Sequence, residues 1–222
     1  MNVGYQLDPA YLARHIGELG NGLGWTLVLT LAGLCGGILT GLAFGAVRAY
    51  RLPLLSGLVA ALVEFIRNTP LFVQIFFLYF GLPRIGIRAS AFEVACASLI
   101  IWGAAYNTEN YRAALLAVPR EYQEAARALG LGELRTFFRV RLPIAIRFAM
   151  PSVTNISVET LKNSALMLAI SFPELTDTAV NLVAVSFRVF EVFFVIGVTY
   201  LVLASLLTQL MRTVERRMAW PA

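Results

Sequence analysis

Charged residues are scarce in this sequence. They make up 14% of its 222 residues, and 59% are hydrophobic. Soluble domains contain about 25% charged and about 45–50% apolar residues. A chain of this composition cannot cover a water-facing surface, which excludes an ordinary soluble domain. The composition instead predicts one membrane domain over residues 1–222, because several spans of roughly 20 residues each use most of this length.

Histidine, lysine and cysteine are almost absent as well. His15 is the only histidine and Lys162 the only lysine, while Cys35 and Cys96 lie in apolar runs without CxxC spacing. A membrane-embedded hydrolase would need a metal site or a Ser-His pair, and neither is expected here. No GxxxxGK[ST] phosphate loop is present, so the chain is not expected to hydrolyse ATP itself. We therefore predict a protein that is not an enzyme and holds no metal or cofactor of its own.

Five long apolar runs predict an all-α integral membrane fold. Each run is long enough to cross a bilayer as a helix with some tilt. An ion-gradient transporter is a weaker alternative, because such proteins often show internal repeats and more spans. The segment 8–20 begins with Asp8-Pro9 and has one apolar face, which is typical of a short helix on the membrane surface. The five runs are, approximately, 22–47, 54–82, 89–115, 143–172 and 189–211.

Arginines are distributed unevenly between the loops. One side of the membrane carries Arg48, Arg51, Arg112, Arg120, Arg127, Arg135, Arg139, Arg141, Arg147, Arg212, Arg216 and Arg217. The other side carries only Arg14, Arg84, Arg88 and Arg188. Cytoplasmic loops are enriched in arginine and lysine. We expect the N-terminus outside, and the loop 116–142 and the C-terminus in the cytoplasm. Since topology accounts for the basic residues, no nucleic-acid partner is expected.

A glycine repeat marks one face of the first span. Gly33, Gly37, Gly41 and Gly45 recur at every fourth position. Glycines at this spacing remove the side chains from one helix face and let a second helix approach closely. The repeat favours packing within the same chain, and contact between subunits is the alternative.

The cytoplasmic loop 116–142 has the pattern of two short amphipathic helices. Tyr122, Ala125, Ala126 and Leu129 share one face, and Gly130 supplies a stop signal. A second short helix is expected over 134–139, with Pro143 opening the next span. On periodicity alone, both helices could simply lie on the membrane surface.

The amino-acid identities in this loop favour a different interpretation. Glu124-Ala125-Ala126, followed by Gly130 and then by Val140-x-Leu142-Pro143, resembles the EAA loop of bacterial ABC importer permeases. Residues 64–74 resemble the second-span signature of the polar amino-acid permeases, and residues 161–164 resemble their fourth span. Together the matches cover about residues 22–217. Many members of the family carry aspartate where this chain has Asn163. This difference leaves the identity of the substrate undetermined.

The resemblance implies a type I ABC importer permease fold in the bacterial cytoplasmic (inner) membrane. It implies a loop that acts as the coupling helix and docks in a groove of an ATPase dimer, which binds ATP and Mg. It also implies a second permease subunit, identical or paralogous, an extracytoplasmic amino-acid-binding protein and surrounding membrane lipid. The sequence Lys162–Ala165 looks like that of acidic amino-acid permeases. The expected ATPase-coupling residues are Tyr122, Glu124, Ala125, Ala126, Leu129 and Gly130.

Four charged residues are expected near the bilayer centre, where each costs about 2.5–3.5 kcal/mol if left unpaired. They form two pairs at i,i+3 spacing, Glu64 with Arg67 and Glu159 with Lys162, so each pair could neutralise itself on its own helix. The alternative is a substrate site, because a zwitterionic amino acid needs both signs of charge. The candidate substrate-binding residues are Glu64, Arg67, Asn68, Thr69, Pro70, Gln74, Glu159, Lys162 and Asn163.

Depth supports a shared site for the two sets. If each span were straight, a rise of about 1.5 Å per residue would place residues 64–70 roughly 15–24 Å from the cytoplasmic side and residues 159–163 roughly 24–30 Å from it. We therefore predict that Glu159, Lys162 and Asn163 face the second-span set across an amino-acid site.

Overall fold

The computed structural model describes residues 9–218, and every regular element among them is helical. This confirms the all-α prediction for the described part of the chain; Asp8, in the predicted helix start, lies outside it. In chain order the helices are α1 (Pro9–Arg14), α2 (Ile16–Ala49), α3 (Leu55–Arg67), α4 (Leu71–Phe76), α5 (Ala91–Ala117), α6 (Arg120–Ala128), α7 (Glu133–Thr136), α8 (Leu142–Asn163), α9 (Leu175–Ser186) and α10 (Val189–Met218).

The helices show how the apolar runs can cross a membrane. By length and composition, α2 and α10 each qualify as a span, with 34 and 30 residues. Two further spans are possible if each of two bent pairs of helices counts as one. α5, with 27 residues, is long enough but carries a polar stretch at 106–112 and is not among the qualifying helices. The count of five spans therefore stays a prediction.

The second span is broken. α3 ends at Arg67, and the helical run Leu71–Ile85, which contains α4, leaves it at an angle of 106°. The straight-helix depth estimate therefore does not extend beyond Arg67, the last residue of α3. Pro70 lies at this break: it lacks a backbone N–H, and its backbone is extended (φ −61°, ψ 133°) at the start of the new helix.

The fourth span differs from the prediction at both of its ends. Helical backbone runs from Glu133 through a π-helical stretch, Phe137–Arg141, into α8, so Pro143 does not start a new helix. The predicted second loop helix is thus the beginning of the span. After the 3₁₀-helical stretch Ser164–Ile170, the chain bends by 47° into α9, which occupies a segment predicted as a loop.

α2 and α5 pack closely along the glycine face. A Cβ atom added to Gly41 would lie 2.4 Å from the Cβ of Asn107, and one on Gly45 would lie 2.8 Å from the Cβ of Tyr111. No side chain larger than hydrogen fits at these positions without a shift of the backbone. The prediction that the repeat serves packing within the chain is confirmed.

α5 connects the rest of the molecule. It packs against α2, α3, α4 and α8. Toward the C-terminal end of α5, its residues Tyr111 and Leu115 pack with Ala145 and Ala149 of α8. Toward the other end, Leu99 packs with residues of α2, α4 and the stretch Ser164–Ile170. The two broken spans therefore both lie against this one helix.

Candidate functional site

The predicted coupling residues lie on an exposed helix and the turn after it. α6 ends in a turn in which the N–H of Gly130 donates to the carbonyl of Arg127 and the N–H of Leu131 donates to that of Ala126. Gly130 has a φ of +75°, the left-handed region that glycine adopts without strain. This confirms the stop signal at Gly130.

The face presented by α6 differs in part from the predicted one. Ala126 is buried, whereas Tyr122, Ala125 and Glu124 are exposed, and Leu129 is 81% exposed. A large apolar side chain exposed next to a charged one is suited to a partner surface. The arrangement leaves most of the predicted coupling residues accessible.

An ion pair spans the turn beyond α6. The Nη2 atom of Arg127 lies 2.8 Å from Oε1 of Glu133, and Nε of the same arginine lies 3.2 Å from it. The buried hydroxyl of Thr136 donates to the carbonyl of Leu131 at 3.4 Å. The ion pair connects α6 to the helical run that begins at Glu133.

At the break in the second span, side chains bind backbone carbonyls. Asn68 Nδ2 donates to the carbonyl of Glu64 at 2.8 Å, and the hydroxyl of Thr69 donates to the carbonyl of Phe65 at 2.8 Å. Both carbonyls belong to the last turn of α3, and that of Glu64 also accepts from the backbone N–H of Asn68 at 3.0 Å. Asn68 and Thr69 therefore bind backbone in this structure.

Gln74 completes the same bend from the other side. Its Nε2 atom donates to the carbonyl of Ile66 at 2.8 Å, to the carbonyl of Thr69 at 3.0 Å and lies 2.9 Å from the Thr69 hydroxyl oxygen. The side chain is buried. Its amide nitrogen is fully used, so Gln74 ties α3 to α4.

Glu64 and Arg67 have surroundings that the sequence pattern did not predict. No ion pair joins the two within residues 9–218. The guanidinium of Arg67 lies over the ring of Tyr106 on α5, 5.1 Å from its centre. Both residues also interact electrostatically with Arg48, at the end of α2. The self-neutralising alternative does not hold for this pair.

Arg48 belongs to a charged cluster where α2 and α5 meet. It forms an ion pair with Glu109, and Nε of Arg112 lies 2.9 Å from Oε2 of the same glutamate. Two arginines thus share one carboxylate beside Arg67. The cluster carries a net positive charge, which favours an anionic group nearby.

Glu159 and Lys162 do form an ion pair on α8. The Nζ–Oε1 distance is 2.6 Å, and both side chains are 52% exposed. Asn155 and Ser152 lie on the same side of the helix, one and two turns before Glu159, and are also exposed. This polar stripe (Ser152, Asn155, Glu159 and Lys162) includes two residues that the sequence analysis did not single out. The signal that could have found them is the helical spacing of polar residues within an apolar run.

The two predicted sets lie at neighbouring depths without touching. Thr160, next to Glu159, packs against Gly33 of α2: a Cβ atom added to Gly33 would lie 2.8 Å from the Thr160 methyl group. The Thr160 hydroxyl faces Gly103 of α5. Tyr106, which contacts Arg67, is about one turn further along α5. No hydrogen bond or ion pair joins the second-span set to Glu159, Lys162 or Asn163 within the described chain. In the described residues, the two sets therefore do not face each other across a shared site as predicted.

A buried carboxylate at the start of α9 is the main polar group that the site prediction missed. Glu174 has no exposed surface. It accepts hydrogen bonds from the N–H of Asp177 at 2.8 Å, the Tyr200 hydroxyl at 2.9 Å and the Thr26 hydroxyl at 3.3 Å. The Thr26 oxygen in turn accepts from the N–H of Leu175 at 3.2 Å. This network joins α2, α9 and α10.

Within the described residues, no group of three or more acidic, histidine or cysteine side chains is placed to hold a metal.

Comparison with known proteins matches this chain to one protein family. A model of the family described as "Binding-protein-dependent transport system inner membrane component" matches residues 33–220. The glutamine transport system permease protein GlnP of Escherichia coli K12 is 33% identical over 215 residues, which cover 96% of this chain and 98% of that protein. The octopine transport system permease protein OccM of Rhizobium radiobacter is 32% identical, over 96% of this chain and 91% of its own.

Two solved structures have the same fold. A crystal structure of an amino acid ABC transporter with histidines superposes with a TM-score of 0.86 at 31% identity, covering 96% of this chain and 100% of the matched chain. An inward-facing structure of the MetNI methionine ABC transporter gives a TM-score of 0.81 at 20% identity, covering 93% and 99% of the two chains. The second likeness concerns the fold alone.

Proposed function

The chain belongs to the family of binding-protein-dependent transport system inner membrane components, and we propose that, as the permease subunit of an amino-acid ABC importer, it carries acidic amino acids inward. Glutamate and aspartate are the proposed substrates, and glutamine is the alternative, because relatives of this chain are named as glutamine permeases. The proposed topology has five spans, with the N-terminus outside and the C-terminus in the cytoplasm. ATP is hydrolysed in a separate subunit.

The polar stripe on α8 is the observation that carries the proposal. A charged side chain at the centre of a bilayer costs about 2.5–3.5 kcal/mol, so an exposed Glu159–Lys162 pair is unfavourable against lipid. The stripe therefore faces a water-filled path. A single chain leaves this face open, so a second permease subunit, identical or paralogous, is proposed to cover it.

The chemistry of the stripe fits an amino acid. Lys162 can bind a carboxylate and Glu159 the ammonium group, once the substrate separates the 2.6 Å pair. Asn163, which is half-buried beside them, is placed to contact the substrate side chain. The family's usual aspartate at this position would repel a second carboxylate, and asparagine does not. This supports an acidic substrate.

Arg67 is proposed as a second carboxylate-binding group further along the path. Its planar guanidinium offers two parallel donors, and Tyr106 holds it from one face. Glu64 lies three residues away on α3. Asn68, Thr69, Pro70 and Gln74 contribute by shaping the bend from which Arg67 projects, so we propose that they support the site without binding the substrate side chain.

The exposed loop supplies the proposed link to ATP. Tyr122, Glu124, Ala125, Leu129 and the Gly130 turn would dock in a groove of the ATPase dimer, where ATP and Mg are bound. An extracytoplasmic binding protein would deliver the substrate on the opposite side.

The topology is tested by labelling single cysteines. Cysteines placed one at a time at residues 2 and 222, in a chain without Cys35 and Cys96, should react with a membrane-impermeant thiol reagent from opposite sides of the membrane.

The substrate is tested in the reconstituted complex. Wild-type permease, with its ATPase subunits and binding protein, is placed in liposomes and supplied with glutamate, aspartate, glutamine or arginine. We expect glutamate and aspartate to give the largest stimulation of ATP hydrolysis and uptake. Stimulation by glutamine or arginine alone would contradict the acidic substrate, and no stimulation by any of the four would contradict the proposed substrate class.

The role of the pair is tested with the double variant Glu159→Gln/Lys162→Gln. This change removes both charges together, so it leaves neither one unpaired. We expect normal assembly and a loss of uptake of at least about 10-fold, the equivalent of 1.4 kcal/mol at the rate-limiting step. The matched control Glu215→Gln/Arg216→Gln removes one charge of each sign at the end of α10. Wild-type uptake by the first variant would leave only a structural role for the pair.

A further inference from the structure

A charge cluster of five residues lies where α2, α3 and α5 meet. Glu109 of α5 forms ion pairs with Arg48, near the end of α2, and with Arg112, three residues further along α5. Arg48 also interacts electrostatically with Glu64 and Arg67 of α3. Three arginines and two glutamates leave the charge cluster with one excess positive charge.

The charge cluster is largely shielded from water at its centre. The side chains of Arg48 and Glu109 are 18% and 20% exposed, and that of Arg112 is 34% exposed. Glu64 and Arg67 are exposed at its edge. Charged side chains inside membrane spans face the interior of the bundle or a water-filled cavity. Because water screens charge, the excess positive charge acts more strongly here than it would on an open surface.

The three arginines keep unused hydrogen-bond donors. A guanidinium carries five N–H donors. Within residues 9–218, Glu109 is the only carboxylate that pairs with Arg48 or Arg112. No carboxylate of the described chain pairs with Arg67, whose guanidinium lies over the ring of Tyr106. The charge cluster therefore still attracts anions after its internal ion pairs have formed.

The charge cluster is near the N-terminal end of the polar stripe. Ser152, the first residue of the stripe, lies one turn after Ala149 on α8. The carbonyl of Ala149 accepts a hydrogen bond from Nδ2 of Asn110 at 3.2 Å, and Asn110 is next to Glu109 in the sequence. In the proposed topology this end of α8 points to the cytoplasm. A substrate that moves inward along the stripe therefore approaches the charge cluster.

We propose that the charge cluster is an electrostatic selectivity filter for anionic amino acids. The inference rests on the proposed function, in which the substrate carries two carboxylates and one ammonium group. The excess positive charge attracts glutamate and aspartate and repels amino acids with a net positive charge. Arginines lining a pore select anions in the same way, and a cleft with charge of one sign concentrates ions of the opposite sign. Direct contact with the substrate is not required.

The test separates the net charge of the cluster from its central ion pair. Arg112→Gln removes the excess positive charge and leaves Glu109 paired with Arg48. The matched variant Arg48→Gln/Glu109→Gln removes that pair and keeps the excess charge. Each permease is reconstituted with the ATPase subunits and the same binding protein, and uptake of glutamate and of glutamine is measured. A loss of folded protein lowers both rates alike, so the ratio of the two reports selectivity.

We expect Arg112→Gln to lower the glutamate-to-glutamine uptake ratio about 10-fold, since it loses one positive charge beside the path. The double variant should retain the wild-type ratio. Arg112→Lys, which keeps the charge, should retain it too, as should the control Arg212→Gln on α10.

Three results would overturn the filter while leaving the acidic substrate in place. These are an unchanged ratio in Arg112→Gln, an equal loss in Arg112→Lys, and an equal loss in the double variant or in Arg212→Gln. Absence of glutamate uptake by the wild type would instead contradict the acidic substrate, and the filter with it.

Discussion

The second and fourth spans both bend, but different interactions hold the two bends. At the 106° break in the second span, the stabilising hydrogen bonds join residues four to eight positions apart in the sequence. At the 47° bend into α9, Glu174 is held by Thr26 and Tyr200, which are 148 and 26 positions away. One bend is stabilised by its own segment, and the other by neighbouring helices.

The difference separates two roles for polar groups in a membrane protein. Asn68, Thr69 and Gln74 bind backbone carbonyls next to the break, and a broken span requires such partners. Glu174 instead connects three helices, so its hydrogen bonds with Thr26 and Tyr200 form only when α2, α9 and α10 have assembled. We infer that damage at the first bend stays local and damage at the second affects the whole bundle.

The largest effect is expected at the second bend. Glu174→Ala leaves the Tyr200 hydroxyl, the Thr26 hydroxyl and the N–H of Asp177 without this acceptor in a buried site, at about 1–3 kcal/mol for each unsatisfied group. We expect a total loss of at least about 3 kcal/mol, measured as reduced Tm and reduced yield of folded protein.

Glu174→Gln is the matched control for that loss. It keeps an acceptor oxygen and the shape of the side chain, so it should lose much less stability. Equal losses in the two variants would show that the hydrogen bonds of Glu174 do not hold the second bend.

A smaller effect is expected at the first bend. Gln74→Leu keeps a buried side chain of similar size but leaves the carbonyls of Ile66 and Thr69 without their donor. We expect a loss of about 1–3 kcal/mol in stability and reduced uptake, because the position of Arg67 depends on the bend. Hydrogen exchange should increase around residues 64–74 and stay unchanged in α9. Equal increases in both regions would contradict the local character of this bend.

The turn at Gly130 extends the comparison to a bend outside the spans. Gly130→Leu places a side chain at φ +75°, which costs about 1–2 kcal/mol. We expect the protein to stay folded in the membrane while substrate no longer stimulates ATP hydrolysis, because α6 changes its angle to the helix beyond. Leu129→Ala, next in the sequence, leaves the backbone unstrained and should retain the angle. Normal stimulation in Gly130→Leu would refute the coupling role of the turn.

The smallest effect is expected for Pro70→Ala. The residue has φ −61° and ψ 133°, which alanine adopts readily. If Gln74, Asn68 and Thr69 hold the bend, the loss in Tm should correspond to less than about 1 kcal/mol, the scale of such replacements. A straightened second span, detected by a changed distance between spin labels at residues 58 and 80, would show instead that proline alone makes the bend.

Local signals account for what could be predicted about the site. Gly130 was identified as a stop because few residues other than glycine adopt a left-handed turn, and the Glu159–Lys162 pair because i,i+3 spacing brings side chains together on any helix. The side chain that contacts Arg67 could not be predicted in this way. Its contact with Tyr106 depends on how α3 packs against α5, which no spacing within either helix specifies.

The sequence by itself determined that this chain is a helical membrane protein, where its apolar runs lie, and that the glycine face of α2 packs against another helix. These follow from composition and from periods of three to four residues, which act within one helix. Only the tertiary structure decided the angle of each broken span, the continuation of the coupling loop into α8 and the burial of Glu174. The break in the second span rests on side-chain hydrogen bonds that no helical period specifies, although their partners are only four to eight positions apart. The burial of Glu174 depends on hydrogen bonds to Thr26 and Tyr200, and these exist only once the helices have packed.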